Sequence, residues 1–537
     1  HVGSQPPLSE QRNFDKLYIP RPRRWIIGIL IAYVVLAANF AFNTPRWQAP
    51  DEPAHYNYIA HIAHQRQLPV LHEGDYDQQL LGLLHQTRFE DETMVSRLRY
   101  ESYQPPLYYL LATPVYWLSG GSLLALRLLS VVIGAGVLVL LYRALELVFP
   151  GKPLITVSAT AFAALLPMHV ALMAAVTNDG LAELLLMASL LIFLGWMRAH
   201  FRGSDQGNRP LLALGLLLGL GLLTKVYAYG LLLVLCCAIV LVVWRRAGQS
   251  LAQGVRTALW TATPAVVLAA PWWARNWVLY GAWDILGTAW HDVVVVGQPR
   301  TVDWLADIGW DRYLERASSF TFRSFWGVFG WLGVFMDERI YTALLLFTGI
   351  IFLGALWALV RLISGGPDMD MDDFQVWVLV LFAAILVTVF AAYIGYNFKF
   401  VQHQGRYFFW GLLPLSTFFA LGWREVLRPF QGLITAILAG VLAFAFAIIG
   451  YTGGNFDKWT IATTLAMTLF LLCQPLVLIG AQRPGSSAAT VGQGPGWRWL
   501  AQSATVVRWV IWATPFFLLA LLNLLIPMLY ILPQLSG

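Results

Sequence analysis

Two carboxylates stand side by side in Pro50-Asp51-Glu52-Pro53-Ala54-His55-Tyr56, directly after a long apolar run. An ionised carboxylate can take a proton from a hydroxyl, so the pair is a candidate for general-base chemistry. Charge is scarce in this chain, at 12% of residues, and an acidic pair at the end of an apolar stretch needs a reason. A plainer role competes. Pro53 suits the first position of a helix, and Asp51 or Glu52 would then be its N-cap. His55, Tyr56, Ile59, Ala60, Ala63 and Gln65 continue at helical spacing, which predicts an amphipathic interfacial helix through about Arg66.

Other chemistry-bearing residues stand at the ends of apolar runs: Asn178-Asp179, Lys225, Arg275 and Arg406. Arg grips phosphate oxygens bidentately, whereas Lys acts as a point charge. Snorkelling is the plain alternative for Arg275, and helix capping for Asp179. Lys225 interrupts two apolar helices, and an ionisable group at that depth is a functional hypothesis by default. Lys399 and His403 are nearby alternatives as phosphate-binding cations. His55, His61, His64, His72 and His85 form a loose run, and His61 and His64 share a helix face. No His-Glu-x-x-His motif accompanies them, so they read as interfacial histidines before metal ligands.

The elements that must position these groups are membrane helices. The chain has 537 residues, 58% of them hydrophobic, with apolar stretches of bilayer length between short polar breaks. Its 24 Trp and 21 Tyr suit interfacial belts. The net charge of +6 lies mostly in short loops and reads as a topology signal, not a nucleic-acid surface. Cys236, Cys237 and Cys473 fall inside apolar runs, which supports neither a disulfide framework nor a zinc site.

Arg12, Lys16, Arg21, Arg23 and Arg24 precede the first span, so the N-terminus is expected in the cytoplasm and Asp51 outside. Pro105–Leu118 is short for a span and reads as interfacial. The pattern then gives about 13 spans, with a cytoplasmic segment at 1–24 and outer loops at 43–122 and 277–339. The C-terminus is expected outside, and the Gly/Ser/Ala-rich stretch at 483–505 reads as a flexible loop. Asp51, Glu52, Asn178, Asp179, Lys225, Arg275 and Arg406 all fall on the outer face.

The motif set resembles the GT-C superfamily of membrane glycosyltransferases, and within it the protein O-mannosyltransferase and lipid A aminoarabinose transferase branch. The Asp-Glu pair after the first span carries the resemblance first. Gln104-Pro105-Pro106-Leu107-Tyr108-Tyr109, Thr177-Asn178-Asp179-Gly180-Leu181 and Leu223-Thr224-Lys225 follow in order. Pro271-Trp272-Trp273-Ala274-Arg275-Asn276, Phe325-Trp326-Gly327 and Gln404-Gly405-Arg406-Tyr407-Phe408 complete the set, the last two most like an uncharacterised bacterial subfamily. Gln104 departs from the pattern, since relatives often carry His or Lys there.

The resemblance covers roughly residues 25–425, with 426–537 as C-terminal transmembrane helices, and implies an all-α polytopic GT-C fold with a catalytic module at 25–425 in a bacterial plasma membrane. It implies transfer of a sugar from a polyprenyl-phosphate carrier to a lipid, glycan or protein acceptor. Asp51 would be the base, with Glu52 and Asp179 as further catalytic carboxylates and inversion at the anomeric carbon. Lys225, Arg275, Arg406, Gln104, Tyr108, Tyr56 and Asn178 would bind donor or phosphate. A divalent metal ion on Asp51, Glu52, Asp179 or His55 stays open, because superfamily members differ in needing one. Two other classes compete: a lipid or solute transporter, which predicts charges near span centres and a repeat of the two halves, and a non-catalytic GT-C-like subunit of a membrane complex.

Overall fold

The computed structural model describes residue 17 and residues 19–204, 207–364, 371–454, 457–482 and 495–536. Arg12, Lys16 and most of the stretch read as a loop at 483–505 lie outside the described residues. The remainder of that stretch is helical, because the final long helix begins at Pro495.

α1 (Pro22–Asn43) is an apolar helix of 22 residues, about 33 Å long and so as long as the hydrocarbon core is thick. The chain then turns into α2 (Glu52–Gln65), bounded by Asp51 and Arg66 as the sequence predicts. α3 (Gln78–Gln86) and α4 (Glu92–Val95) are capped by the side chains of Asp77 and Asp91. α5 (Leu107–Leu118) has 12 residues, about 18 Å, and is too short to span. Trp117 Nε1 donates to the Ala63 carbonyl at 3.1 Å, which fixes α5 against α2. These pieces share a core of their own, built around Trp47, Tyr58, Ile59, Leu84, Phe89 and Tyr109.

α6 (Leu123–Val148), α7 (Pro153–Leu165), α8 (Pro167–Leu172) and α9 (Asp179–Phe201) form the centre of the bundle. The third span expected from sequence is two helices. The Pro167 ring disfavours a helical Leu166, which takes φ −72° and ψ 111° and breaks the run. α10 (Arg209–Leu222) and α11 (Tyr227–Leu241) flank a short break that carries Lys225. α12 (Leu251–Tyr280) and α13 (Thr288–Val294) lead to α14 (Thr301–Trp326), which Gly309 interrupts with φ 75° and ψ 169°. β1 (Val328–Phe329) and β2 (Val334–Phe335) pair antiparallel. α15 (Glu338–Ile363), α16 (Asp373–Asn397), α17 (Leu412–Val426), α18 (Pro429–Thr452), α19 (Lys458–Gln482), α20 (Pro495–Ile526) and α21 (Leu532–Leu535) complete the chain.

Among the described residues, 8 helices are long and apolar enough to cross a membrane: α1, α6, α9, Tyr227–Arg246, α15, α16, α18 and Val506–Leu535. α7, α10 and Lys458–Cys473 are shorter apolar helices. α12, read as the seventh span, is long enough, but its Trp, Thr and Pro residues dilute its hydropathy. The architecture is therefore all-α and multi-pass.

Candidate active site

Asp51 stands at the N-cap position of α2, but its side chain makes no capping bond. Its backbone is left-handed, with φ 64° and ψ −7°. Few residues adopt that conformation, and Asp is among those that tolerate it best. The carboxylate is directed elsewhere. Oδ1 accepts the Tyr100 hydroxyl at 2.9 Å, and Oδ2 accepts Arg406 Nη2 at 2.9 Å. The Asp51 side chain stays 25% exposed, and that of Arg406 13%. Helix capping, the plain reading of Asp51, is set aside by this geometry.

Burial alone would raise the Asp51 carboxyl. The charge and hydrogen bond of Arg406 outweigh it, aided by His55 and Tyr100, and hold the group below its ordinary 3.8. For Arg406, burial would lower the guanidinium. Asp51, Tyr407 and Asp179 outweigh that and hold it well above its ordinary value. Arg406 arrives through a tight turn at Gly405–Gly411. Gly405 lies so close to α14 that a Cβ there would stand 2.3 Å from Phe325 Cα. The Gly405 N–H donates to Ser324 Oγ at 2.8 Å. Arg406 Nε is buried without a hydrogen-bond partner.

A second pair lies across the same region. Asp179 opens α9, and Lys225 Nζ reaches its Oδ1 at 2.5 Å. Lys225 also donates to Asn178 Oδ1 at 2.9 Å. Asn178 Nδ2 in turn donates to Gln104 Oε1 at 3.3 Å and to the Thr224 carbonyl at 3.1 Å. Thr177 donates its hydroxyl to Asp179 Oδ2 at 2.9 Å. Gln104, Asn178, Asp179 and Lys225 thus form one network, in which Asn178, Asp179 and Lys225 are residues that the sequence puts on one face. His55 Nδ1 meets the Tyr109 hydroxyl at 2.8 Å. Burial pulls the His55 imidazole below its ordinary 6.5, although Glu101, Asp51 and Asp179 oppose it, so the ring is neutral at neutral pH.

Other residues singled out from the sequence have partners elsewhere. Glu52 is fully buried, and its oxygens take Arg127 Nε at 2.8 Å, Arg127 Nη2 at 2.7 Å and the Val176 N–H at 3.2 Å. Arg127 also donates to the carbonyls of Ala41, Thr44 and Pro45. Glu52 therefore pins α1, α2, α6 and the turn before α9 together. Arg275 donates to the Pro69 carbonyl at 2.6 Å and to Asn276 Oδ1 at 3.2 Å, with its guanidinium 4.6 Å over Trp272. It fastens the first outer loop to α12 and joins neither ion pair. Tyr56 donates to the Gly121 carbonyl at 2.7 Å, and the Tyr108 hydroxyl is buried without a partner. Neither hydrogen-bonds to either ion pair. Lys399 pairs with Asp292 instead.

No group of three or more His, Cys, Asp or Glu gathers to hold a metal ion among the described residues. Asp51, Glu52 and Asp179 are each paired with a cation, and His55 with a hydroxyl, so this donor set does not fit a divalent ion. Sequence reasoning missed Tyr100, Arg127, Glu101 and the buried pair of His169 Nε2 with Glu183 Oε2 at 2.8 Å. Arg127 and Glu183 had a usable signal, since each is an ionisable residue inside an apolar helix and so requires a partner. Glu101, 9% exposed, leaves Oε2 without a hydrogen bond.

Residues 103–274 match the family model described as dolichyl-phosphate-mannose-protein mannosyltransferase. This stretch carries the mannosyltransferase family's pattern. It is less than half of the chain, and it holds Gln104, Asn178, Asp179 and Lys225 while leaving out Asp51, Arg275 and Arg406. The resemblance to protein O-mannosyltransferases read from the motifs is found again over residues 103–274. No curated protein matches the chain. Among solved structures, the chain is similar to the oligosaccharyltransferase of Archaeoglobus fulgidus tethered with an acceptor peptide, at 14% identity and a TM-score of 0.45. That match covers 90% of this chain and 55% of the other, so the chain spans about half the length of that protein. It is also similar to ArnT from Cupriavidus metallidurans bound to undecaprenyl phosphate, at 13% identity and a TM-score of 0.46, covering 93% of this chain and 76% of that one.

Proposed function

We propose that the chain is a GT-C glycosyltransferase. It moves a sugar from a polyprenyl-phosphate carrier to an acceptor on the outer face of a bacterial plasma membrane. The observation that carries this reading is the pair of Asp51 and Arg406, part-exposed, with Arg406 Nε unbonded and the Asp179–Lys225 pair electrostatically joined to it. A buried guanidinium N–H without a partner calls for an acceptor, and a phosphate oxygen is the strongest one available.

In this reading the donor phosphate takes N–H groups from Arg406 and Lys225. Sharing Arg406 with phosphate loosens its hold on Asp51, so the carboxylate becomes a stronger base as the donor seats. The acceptor oxygen attacks the anomeric carbon, and its proton passes to Asp51. The carbon–oxygen bond to phosphate breaks, and the leaving phosphate keeps the electron pair beside the two cations. Attack opposite the leaving group inverts the anomeric carbon. The free Glu101 oxygen would accept a hydroxyl of the sugar. The catalytic module spans 25–425, with 426–537 as additional helices, and the acceptor is a lipid, glycan or protein.

The test is Asp51→Asn in proteoliposomes supplied with polyprenyl-phosphate sugars. Loss of a general base lowers turnover on the order of 10²–10⁴-fold. Full transferase activity in Asp51→Asn would remove Asp51 from the base role.

A further inference from the structure

The end of the bundle opposite the ion pairs holds a second built feature. α9 opens at Asp179 and reaches Arg198 about 28 Å further along its axis. Two adjoining cavities lie there, between the ends of α6 and α9. One, of about 460 Å³, is lined by Leu147, Ile192, Arg198 and Arg202 among others. The other, of about 500 Å³, is lined by Arg143, Glu146, Leu147, Leu191 and Arg198. Leu147 and Arg198 belong to both. Arg198 is held at their boundary, because its Nη1 donates to the Leu147 carbonyl at 2.8 Å.

Each cavity pairs a cationic side with an aliphatic one, the latter from Leu191 in one and Ile192 in the other. Both helices are long and apolar enough to cross a membrane. Among the described residues, the acids that bear on the site are Glu146, which lies 4.0 Å from Arg143, and Asp372, whose charge reaches Arg198. Positive charge at one membrane edge, next to an apolar wall, suits a phosphodiester with acyl chains attached. Guanidinium groups bind phosphate by paired N–H bonds, and basic pockets between membrane helices take anionic lipid headgroups.

We propose that this groove binds the headgroup of an anionic phospholipid, with Arg198 on the phosphodiester and Arg143 and Arg202 on either side. A lipid is favoured over free phosphate because Leu147, Leu191, Ile192 and Ala199 give the lining an aliphatic side that continues the apolar surface of α9.

The full chain in detergent is titrated with dioleoyl-phosphatidylglycerol or dioleoyl-phosphatidylcholine, and bound lipid is counted by native mass spectrometry. The wild-type protein is expected to retain the anionic lipid about 5-fold better or more, since each basic group near the headgroup contributes about that factor. Arg198→Gln should abolish the preference. Arg143→Gln, at a mostly exposed side chain, should halve it and remains decisive if Arg198→Gln fails to fold. Arg245→Gln removes a charge beyond the far end of α11 and should leave it intact. Equal retention of the two lipids, equal loss in Arg245→Gln, unchanged preference in Arg143→Gln, or displacement by millimolar inorganic phosphate would each overturn the proposal. The last outcome would mark a general anion site, and loss in Arg245→Gln a mere surface charge effect.

Discussion

Asp51 and Glu52 are consecutive acids, each paired with an arginine, in opposite settings. Glu52 and Arg127 are buried, with side chains 0% and 4% exposed, and every oxygen of Glu52 is engaged within the protein. Asp51 and Arg406 stay partly open, and Arg406 keeps an unbonded N–H. The left-handed backbone at Asp51 separates the two, sending one carboxylate into the bundle and leaving the next at its face. The saturated pair fixes the frame, and the unsaturated pair stays addressable by a ligand.

The comparison breaks most clearly at the saturated pair. Glu52→Gln or Arg127→Met leaves a buried charge unpaired, and thermal unfolding in detergent should show a loss of about 3–5 kcal/mol. A double change to two apolar residues should recover much of that stability. A stable but inactive Glu52→Gln would reverse the roles assigned to the two acids.

Arg406→Gln should do the opposite: stability near that of the parent, with turnover lower on the order of 10²–10³-fold. It also sharpens the pH behaviour. Arg406 depresses the Asp51 carboxyl, so the ionised form holds above its ordinary 3.8 and is lost only as pH falls through a still lower value. Without Arg406 the burial effect is opposed only by His55 and Tyr100, and the acid limb of kcat/KM should move upward in pH. An unmoved limb would mean that Asp51 does not set it.

Gly405→Ala tests the backbone behind Arg406. Its Cβ would meet the main chain of Phe325. We expect Asp51–Arg406 to separate and turnover to drop about 10-fold or more, because small displacements of a positioning group are costly. Arg275→Gln is the smallest case. It loses a loop contact at Pro69, so turnover should change less than about 2-fold, with stability lower by about 1 kcal/mol.

The helices around this site were legible because apolar length and basic loops are strong signals. α2 was legible to within a residue, since Asp51, Pro53 and Arg66 mark its ends. The cluster of Asn178, Asp179, Lys225 and Arg406 was legible as a shared face. Which acid of the Asp51-Glu52 pair faces outward was not, because that depends on a local φ and on Arg127 and Arg406, both far along the chain. The contact of Arg275 was hidden for the same reason: its partner is a backbone carbonyl, which no side-chain pattern reveals. The break at Leu166-Pro167 was readable from the proline but was masked by the apolar run around it.

Asp51 and Arg406 are 355 positions apart, and neither has its partner until both are in place. A ribosome adding about 5–20 residues per second needs on the order of 20–70 s between them. During that interval α1 and α6 can insert and the Glu52–Arg127 pin can close, since its members are near neighbours in synthesis. The growing chain thus acquires its scaffold early and its paired cation late. A truncated product that stops before residue 400 would retain the anchored frame and lack the Asp51–Arg406 pair altogether.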